Sequence, residues 1–529
     1  MTRYGRFPMR FGVMALSVVL LAGIFGGACL ASSNQPTFGG VLRVGIEGMP
    51  PTFDTMLSGS VLTRMIMAHV TECLVTYDEG SAIVPDLALS WTVSADGLVF
   101  TFALRHGVLF HNGKEMTAED AKASMERYQR VGRRSTDLKL ITEITVVDPY
   151  TLKIVVSKAI NLLNLMASPS APMIVMPKEI AAKTTDLAQA DLIGTGPYKF
   201  VESIPDVHIK LIRFDAYVPH LDSLTSVGTD GMGGTKIPYL DEIDFIPIPD
   251  ATARELAVET GQVDMAVFLP ASAGAQLEAT SGLVAYKELP AMKQVLNFNN
   301  AFGLTSNLKI RQAIQACLDA EEILDTASGG VYALDHNILY TNNASSTEEG
   351  AELYNQANEA KARQLLQEAG YKGEELVLMT TKSYIEDYRT AQVVAAQLAA
   401  IGMNINIQVY DMAAMWGNAR QETGWNMFTD LWVSLFDPSW FMAILDSEAS
   451  PWTHYKNAEM DALLDQLAYT IDPVALREIN GQIERKVWDE AIFYPIGDVG
   501  GYTAVRSNVN GFVPWRVVRP RLWNVWLDK

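Results

Sequence analysis

The sequence contains few cysteines, and its histidines are scattered. Of the 3 cysteines, no two stand at the spacing of a zinc site. The 7 histidines never approach metal-ligand spacing on a helix. We therefore expect no metal and no cofactor. We expect Cys73 and Cys317 to be buried free thiols, and a bridge between them is the alternative.

Signatures of nucleotide binding and hydrolysis are missing as well. The glycine-rich stretch Asp230–Lys236 lacks the Gly-Lys-Ser/Thr ending of a phosphate-binding loop, and we expect it to be a flexible loop. "GTGPYKF" (Gly194–Phe200) lacks the third glycine of a dinucleotide fingerprint. No Gly-x-Ser-x-Gly elbow occurs. The common enzyme motifs therefore give no reason to expect catalysis.

Positive charge is scarce, and only one long apolar run is present. The net charge of −20 makes nucleic acid a poor partner. Three arginines precede the apolar run Phe11–Phe25, as in a secretory signal peptide, which we place at residues 1–31. Cleavage after Ala31 gives a free periplasmic protein, and cleavage before Cys29 gives a lipid-anchored one. The lipoprotein cleavage motif before Cys29 is imperfect, because Gly26 stands where such motifs usually carry an aliphatic residue.

The mature part of the chain alternates strand and helix patterns. "GGVLRVGIE" reads as a strand, and Ile141–Val156 reads as a hairpin around an Asp-Pro-Tyr turn. Thr117 and Asp120 form a variant capping box at the start of a helix. The arginines at positions 127, 130, 133 and 134 read as a solvated helix end, with contact to an anion or a permease as the alternative. These patterns predict an α/β protein.

The clearest unit lies between residues 358 and 410. A helix ends at Gly370, a strand covers Glu375 to Thr380, a second helix ends at Gly402, and another strand follows. A strand-helix-strand crossover of this kind makes the two strands parallel. Ligands of such sheets bind beyond the carboxyl ends of the strands, which makes Lys382 and Tyr384 in "TTKSY" candidate site residues.

Several motifs in order resemble the family 5 extracellular solute-binding proteins, the receptors of peptide and nickel type ABC importers. They are "LALSWTVSADGLVFTFALRHGVLFHNGKEMTAEDAKASMERY", "GTGPYKF", "YLDEIDFIPIPDATARELAVETGQVDMA", "LNFNNAFGLTSNLKIRQAIQACLDAEEIL" and "DLWVSLFDPSWF". The resemblance implies a periplasmic-binding-protein-like two-lobe clamshell with three domains, of type II and cluster C-like. It also implies that the protein is not an enzyme.

The resemblance further implies a domain division. Residues 37–69, 190–296 and 500–529 would form the discontinuous first lobe. Residues 70–189 would form a small inserted domain, and residues 297–499 the second lobe. Relatives have a short turn where this chain carries the insertion 218–234, whose glycines suggest mobility.

Site residues follow from the same resemblance. Trp432 matches the tryptophan that lines the pocket of peptide-binding relatives, with a core position as the alternative. Asp437, before a proline, reads as a helix N-cap. Leu435 replaces the aspartate that holds a peptide's ammonium, and Asp498 is a candidate replacement. Lys382 stands where the dipeptide receptors carry a carboxylate-binding arginine.

These departures predict the ligand. The chain keeps a cation at Lys382 and lacks the anion that relatives carry at the position of Leu435. This combination favours a small organic ligand that is anionic or carboxylate-bearing, or an atypical peptide. ABC transporter permease subunits are the expected partners, and a monomer is expected. A periplasmic sensory receptor is the main alternative. A nickel-chelate binder and a secreted hydrolase are weaker ones.

Overall fold

The computed structural model describes residues 35–183, 185–220, 229–340, 345–433, 440–449, 452–470, 472–515 and 520–528. Its strands are β1 (Val41–Ile46), β2 (Val75–Tyr77), β3 (Ile83–Pro85), β4 (Ala88–Val93), β5 (Val99–Leu104), β6 (Ile141–Asp148), β7 (Thr151–Val156), β8 (Tyr198–Ile204), β9 (His208–Arg213), β10 (Thr229–Asp230), β11 (Gly233–Gly234), β12 (Glu242–Pro247), β13 (Met265–Leu269), β14 (Leu283–Phe298), β15 (Tyr332–Ala333), β16 (Glu375–Thr381), β17 (Asn404–Tyr410), β18 (Met427–Trp432), β19 (Phe493–Arg506), β20 (Val509–Asn510) and β21 (Trp526–Leu527).

The α-helices of these residues are α1 (Val61–Met67), α2 (Ala118–Val131), α3 (Leu162–Ala167), α4 (Lys178–Ala181), α5 (Ala251–Glu259), α6 (Gly274–Ala279), α7 (Leu308–Cys317), α8 (Ala320–Ser328), α9 (Glu359–Ala369), α10 (Ile385–Ala400), α11 (Met412–Ala419), α12 (Trp440–Leu445), α13 (Ala458–Tyr469) and α14 (Pro473–Asp489). In the part of the chain that the structure describes, no helix combines the length and apolarity needed to cross a membrane.

One large mixed sheet organises the fold. Its strand order is β17-β16-β18-β14-β19-β13-β1-β12-β9-β8, and β15 also pairs with β19. The pairs β16/β17, β16/β18, β1/β12 and β1/β13 are parallel. A separate four-stranded antiparallel sheet has the order β4-β5-β7-β6. The prediction of an α/β protein is confirmed.

Two long strands join the two halves of the large sheet. The first part of β14 pairs with the last part of β19, next to β13 and β1. The second part of β14 pairs with the start of β19 and with β18. The ladder is irregular between Glu288 and Met292. A Cβ atom on Gly500 would lie 2.2 Å from the Glu288 carbonyl oxygen, so only glycine fits at this junction.

Helices cover both halves of the large sheet. In one half, α7, α8, α9 and α10 share an apolar core with β14, β16 and β18. In the other half, β1, β9, β12 and β13 form a core with α1. A third cluster joins the four-stranded sheet and α2 to residues of α12, α13 and α14. These cores anchor β16 and β18 in one half of the sheet and β1 in the other.

The elements that were predicted from local sequence patterns are present in the structure. The crossover is present as β16, α10 and β17, with β16 and β17 parallel, and Gly370 caps α9 in a left-handed conformation. The hairpin is present as β6 and β7. At the start of α2, the Thr117 backbone N–H donates to the Asp120 carboxylate (3.0 Å). Cys73 and Cys317 are free thiols, as expected, but only Cys317 is buried, and Cys73 is half-buried.

The expectation of a flexible loop at Asp230–Lys236 was wrong, and that of a solvated helix end was wrong for Arg127, whereas Arg130 and Arg133 are exposed. Asp230–Lys236 is not simply a flexible loop, because it contains the β10/β11 hairpin and ends at the buried Lys236. The Lys236 ammonium pairs with Glu72 (3.1 Å) and Asp86 (3.0 Å). Arg127 is fully buried rather than solvated. These cations are buried because a carboxylate from elsewhere in the chain compensates each of them. Arg127 pairs with Asp54.

Candidate functional site

Lys382 and Trp432 lie at the same edge of the large sheet. Strands β16 and β18 run parallel, and they end at Thr381 and Trp432. The Thr429 hydroxyl donates to the Thr380 hydroxyl (2.8 Å), so the two strands stay in register close to their ends. The carboxyl ends of such strands are the usual place for a ligand in an α/β sheet.

Tyr384 follows the end of β16 at this edge. Its side chain is 46% exposed. Partial burial raises the pKa of Tyr384, and the nearby carboxylates of Glu47, Asp387 and Asp430 raise it further. Glu47 follows β1, which belongs to the opposite half. The strand register places the end of β13 opposite Tyr502 and the end of β18 opposite Lys293, on either side of the irregular part of β14. The carboxyl ends of the strands of the two halves therefore face each other across this junction, which is the candidate ligand cleft.

Two buried carboxyl groups lie close to the cleft. Asp387, in the first turn of α10, is fully buried, and Asp430, in β18, is 5% exposed. Burial raises the pKa of Asp430 to about 7. Burial, followed by the charge of Asp430, raises the pKa of Asp387 well above its ordinary value. At neutral pH the pair therefore holds at least one proton.

Gln294 of β14 bonds to both acids. Its Nε2 donates to Asp387 Oδ1 (2.8 Å) and to the Asp430 carbonyl oxygen (3.1 Å). Asp387 Oδ2 and Gln294 Oε1 are buried, and neither accepts a hydrogen bond from any residue that the structure describes. Both atoms are acceptors when Asp387 is ionised, whereas a protonated Asp387 contributes a donor. This arrangement agrees with the raised pKa of Asp387.

Asp430 is expected to make the stability of the protein depend on pH. Its pKa is about 7 in the folded chain and about 3.9 when unfolded. The folded state therefore binds more protons between these values, and the free energy of unfolding falls as pH rises from about 4 to about 7. We expect Asp430→Asn to flatten this slope in chemical denaturation.

The matched control is Asp465→Asn, at an exposed position in α13. It should leave the slope as in the wild type. An Asp430→Asn protein with an unchanged slope would show that Asp430 is ionised in the fold.

The Trp432 side chain is packed into the interior. It is 4% exposed. Its Nε1–H donates to Asp430 Oδ2 (2.9 Å), and its ring lies 4.9 Å from the Phe493 ring. It stands beside Lys293 of the neighbouring strand β14. The indole thus forms part of the packed wall behind the strand ends, and its contact with a ligand stays a prediction.

Lys382 is exposed at the end of β16. Its Nζ lies 4.6 Å from the centre of the Tyr388 ring on α10, within reach of a cation–π contact. No carboxylate pairs with Lys382 among the described residues. The predicted positions Leu435 and Asp437 lie outside the described residues.

Asp498 belongs to a buried ion cluster. Its carboxylate lies 2.9 Å from the Lys293 ammonium, which also bonds to Asp335 (2.8 Å). Lys293 is completely buried. Burial opposes the charge on Lys293, but the two carboxylates outweigh it, and the pKa of Lys293 is raised. Asp498 thus compensates a cation of the protein itself.

Arg254 orders the loops on the other side of the cleft. It is buried, and its guanidinium donates to the carbonyl oxygens of Val267 (3.0 Å), Ile248 (2.7 Å), Pro249 (3.1 Å) and Phe268 (2.8 Å). These carbonyls lie at the ends of β12 and β13. Phe268 has a φ of +52°, which is unfavourable for a side chain of this size. The guanidinium therefore stabilises the backbone at these strand ends.

Sequence reasoning missed Glu47, Asp387, Asp430 and Arg254. In the sequence, Asp387 looks like any acidic residue in the first turn of a helix, and Glu47 looks like any polar residue after a strand, so neither is distinguished as a site residue. Asp430 had a usable signal, because it precedes Trp432 by two residues and shares its face of a strand. In the ranges described above, no group of three or more histidine, cysteine or acidic side chains could hold a metal ion.

The comparisons with known proteins define the class. The profile of the bacterial extracellular solute-binding proteins, family 5 (middle), matches residues 82–451. The chain belongs to this family. Its members are receptors that bind peptides or other small ligands and work with ABC transporter permeases, without catalysing a reaction. The fold is thus the two-lobe α/β clamshell that the resemblance implied.

Individual relatives cover almost the whole chain. A probable peptide ABC transporter periplasmic-binding protein of Sinorhizobium fredii is 25% identical over 92% of this chain and 93% of its own length. The glutathione-binding protein GsiB of Salmonella paratyphi A is 25% identical over 87% of this chain and 89% of its own. Among solved structures, the substrate-binding protein CtaP of Listeria monocytogenes superposes with a TM-score of 0.81 at 23% identity, covering 93% and 100% of the two chains.

Proposed function

We propose that this receptor of an ABC importer captures a small organic ligand that carries a carboxylate and an apolar part, such as an atypical peptide. The observation that carries the proposal is Lys382, which is exposed and forms no ion pair among the described residues, at the same strand edge as Trp432. The lysine supplies a charge for the carboxylate. The indole, with its neighbours, supplies an apolar wall that excludes water.

The acidic side of the cleft adds a second requirement for the ligand, a positively charged group. Glu47 is exposed at the end of β1, and its charge raises the pKa of Tyr384. A ligand with an amino group some distance from its carboxylate would complement Glu47 as well as Lys382. Glutathione-like peptides have this character, and the similarity to a glutathione-binding protein points in the same direction.

Further features of the receptor are part of the same proposal. Residues 1–31 act as the signal peptide, with a lipid anchor at Cys29 as the variant form, and the mature chain works in the periplasm as a monomer. Residues 37–69, 190–296 and 500–529 form the first lobe, 70–189 the small domain and 297–499 the second lobe. The continuity of β14 and β19 across the large sheet supports two lobes joined by paired strands.

The experiment combines ligand identification with a charge test. Native mass spectrometry of the freshly purified protein identifies any co-purifying ligand, and calorimetry compares a peptide acid with its C-terminal amide. We expect the wild type to prefer the acid by about tenfold or more. Lys382→Met should abolish this preference, and Lys382→Arg should keep most of it.

The control is Lys372→Met, at an exposed lysine in the loop before β16. It should leave the preference unchanged. A co-purifying ligand without an anionic group, or a Lys382→Met protein that still prefers the acid, would contradict the proposal.

A further inference from the structure

A second cavity lies away from the candidate cleft. Its volume is about 330 Å³. One wall comes from residues 134–165, between the end of α2 and α3, and the other from residues 467–469 at the end of α13 and from Leu476 in α14. Its apolar lining consists of Leu140, Ile160, Leu165, Leu467, Tyr469 and Leu476. None of the side chains assigned to the cleft lines it.

Direct contacts hold the two walls together beside the cavity. The Asn161 backbone N–H donates to the Ala468 carbonyl oxygen (3.3 Å). The Lys158 ammonium lies 3.2 Å from the centre of the Tyr469 ring, a cation–π contact. The cavity is therefore bounded by a formed interface between segments about 300 residues apart in the sequence.

The polar groups at the cavity are biased toward positive charge. Arg134 donates to Asp137 through Nε (2.7 Å), so these two charges compensate each other. Lys139 is exposed, and in the described part of the chain no carboxylate forms an ion pair with it. The amide of Asn164 also lines the cavity. The lining thus carries one excess cation, in a protein whose net charge is −20.

We propose that this cavity binds a small amphipathic monoanion, with its apolar body among the leucines and its carboxylate at Lys139. The volume suits roughly ten non-hydrogen atoms, if each takes about the space of one water molecule in the liquid. An apolar pocket with a few polar groups that fix one end of the ligand is the usual form of a small-molecule site.

Occupancy of the cavity favours the contact between its two walls. The walls belong to segments assigned above to the small domain and to the second lobe. A ligand that touches both walls binds best to the form in which they are packed together. Binding of this ligand is then coupled to any movement of the lobes. The factor by which it changes the affinity of the cleft for the cleft ligand equals the factor by which the cleft ligand changes the affinity of the second cavity.

The test uses octanoate as the probe and the full mature chain. Calorimetry and thermal denaturation should detect octanoate binding to the wild type, and octanamide should bind at least about tenfold more weakly. Lys139→Glu should weaken octanoate binding about tenfold or more, and Leu165→Arg should abolish it. Lys178→Glu, at an exposed lysine in α4, is the matched charge control and should have no effect.

A third variant separates this site from the cleft. Lys382→Met removes any octanoate that the cleft holds, and it should leave the octanoate binding that depends on Lys139 as in the wild type. Octanoate binding that is lost in Lys382→Met but kept in Lys139→Glu would place the probe in the cleft and overturn the proposal. Absence of octanoate binding to the wild type, or equal binding of octanamide, would overturn it as well.

Discussion

Lys293→Met is expected to lower the free energy of unfolding by about 3–5 kcal/mol, because it removes one partner from a buried ion cluster. Lys293 is fully buried, and its ammonium lies 2.8 Å from Asp335 and 2.9 Å from Asp498. Without the cation, two carboxyl groups remain in the interior and must either take up protons or stay charged at high cost.

The position of the cluster adds to the effect. Lys293 lies in β14 directly opposite Asp498 of β19, just after the irregular part of the ladder that joins the two halves of the sheet. Asp335 follows β15, which pairs with the same strand. The loss is therefore expected to weaken the junction of the two halves as well as the local packing.

Chemical denaturation followed by circular dichroism measures this prediction. The control is Lys309→Met, which breaks an exposed ion pair with Glu368 and should cost no more than about 1 kcal/mol. Adding Asp498→Asn to Lys293→Met should restore part of the stability, because the two changes affect one cluster. Equal losses in the two single lysine variants would show that the buried cluster is of little importance.

Trp432→Ala is expected to lower both stability and ligand affinity. Removal of a buried tryptophan costs about 3–5 kcal/mol through lost contacts and the cavity left behind. It also removes the donor to Asp430 and the contact with Phe493. If the indole forms the apolar wall of the cleft, the affinity for the carboxylate ligand should fall about tenfold or more.

Two variants separate the effects of Trp432→Ala. Trp523 is fully buried in the same apolar cluster, beside His69. Trp523→Ala should therefore destabilise the protein to a similar extent and leave ligand affinity unchanged. Trp432→Phe keeps an aromatic wall without the donor, and should keep affinity within about threefold. Calorimetry of the folded proteins gives the affinities, and equal affinities of Trp432→Ala and wild type would assign Trp432 to the core alone.

Local patterns in the sequence predicted much of the fold. The crossover of β16, α10 and β17 follows from periodicity and from glycines at helix ends, and the start of α2 follows from Thr117 and Asp120. Each of these signals lies within a few turns or one hairpin. Physical preferences of neighbouring residues decide such elements, so they can be read without knowledge of the tertiary structure.

Buried charges in and around the site could not be predicted in this way. Lys293 meets Asp335 and Asp498, which are 42 and 205 residues further along the chain. Arg127 similarly pairs with Asp54. A lone basic residue in a sequence reads as solvated unless its partner is known. Only the tertiary fold brings the partners together, so the role of Asp498 in the ion cluster was invisible beforehand.

The two long strands also have a mechanical consequence. β14 and β19 each contribute hydrogen bonds to both halves of one sheet, so rotation of one lobe against the other must twist a continuous ribbon. Gly500 and Gly501 of this ribbon are packed against neighbouring carbonyl oxygens, which restricts movement of the backbone there. The hydrogen bonds of both strands therefore oppose any rotation of one lobe against the other.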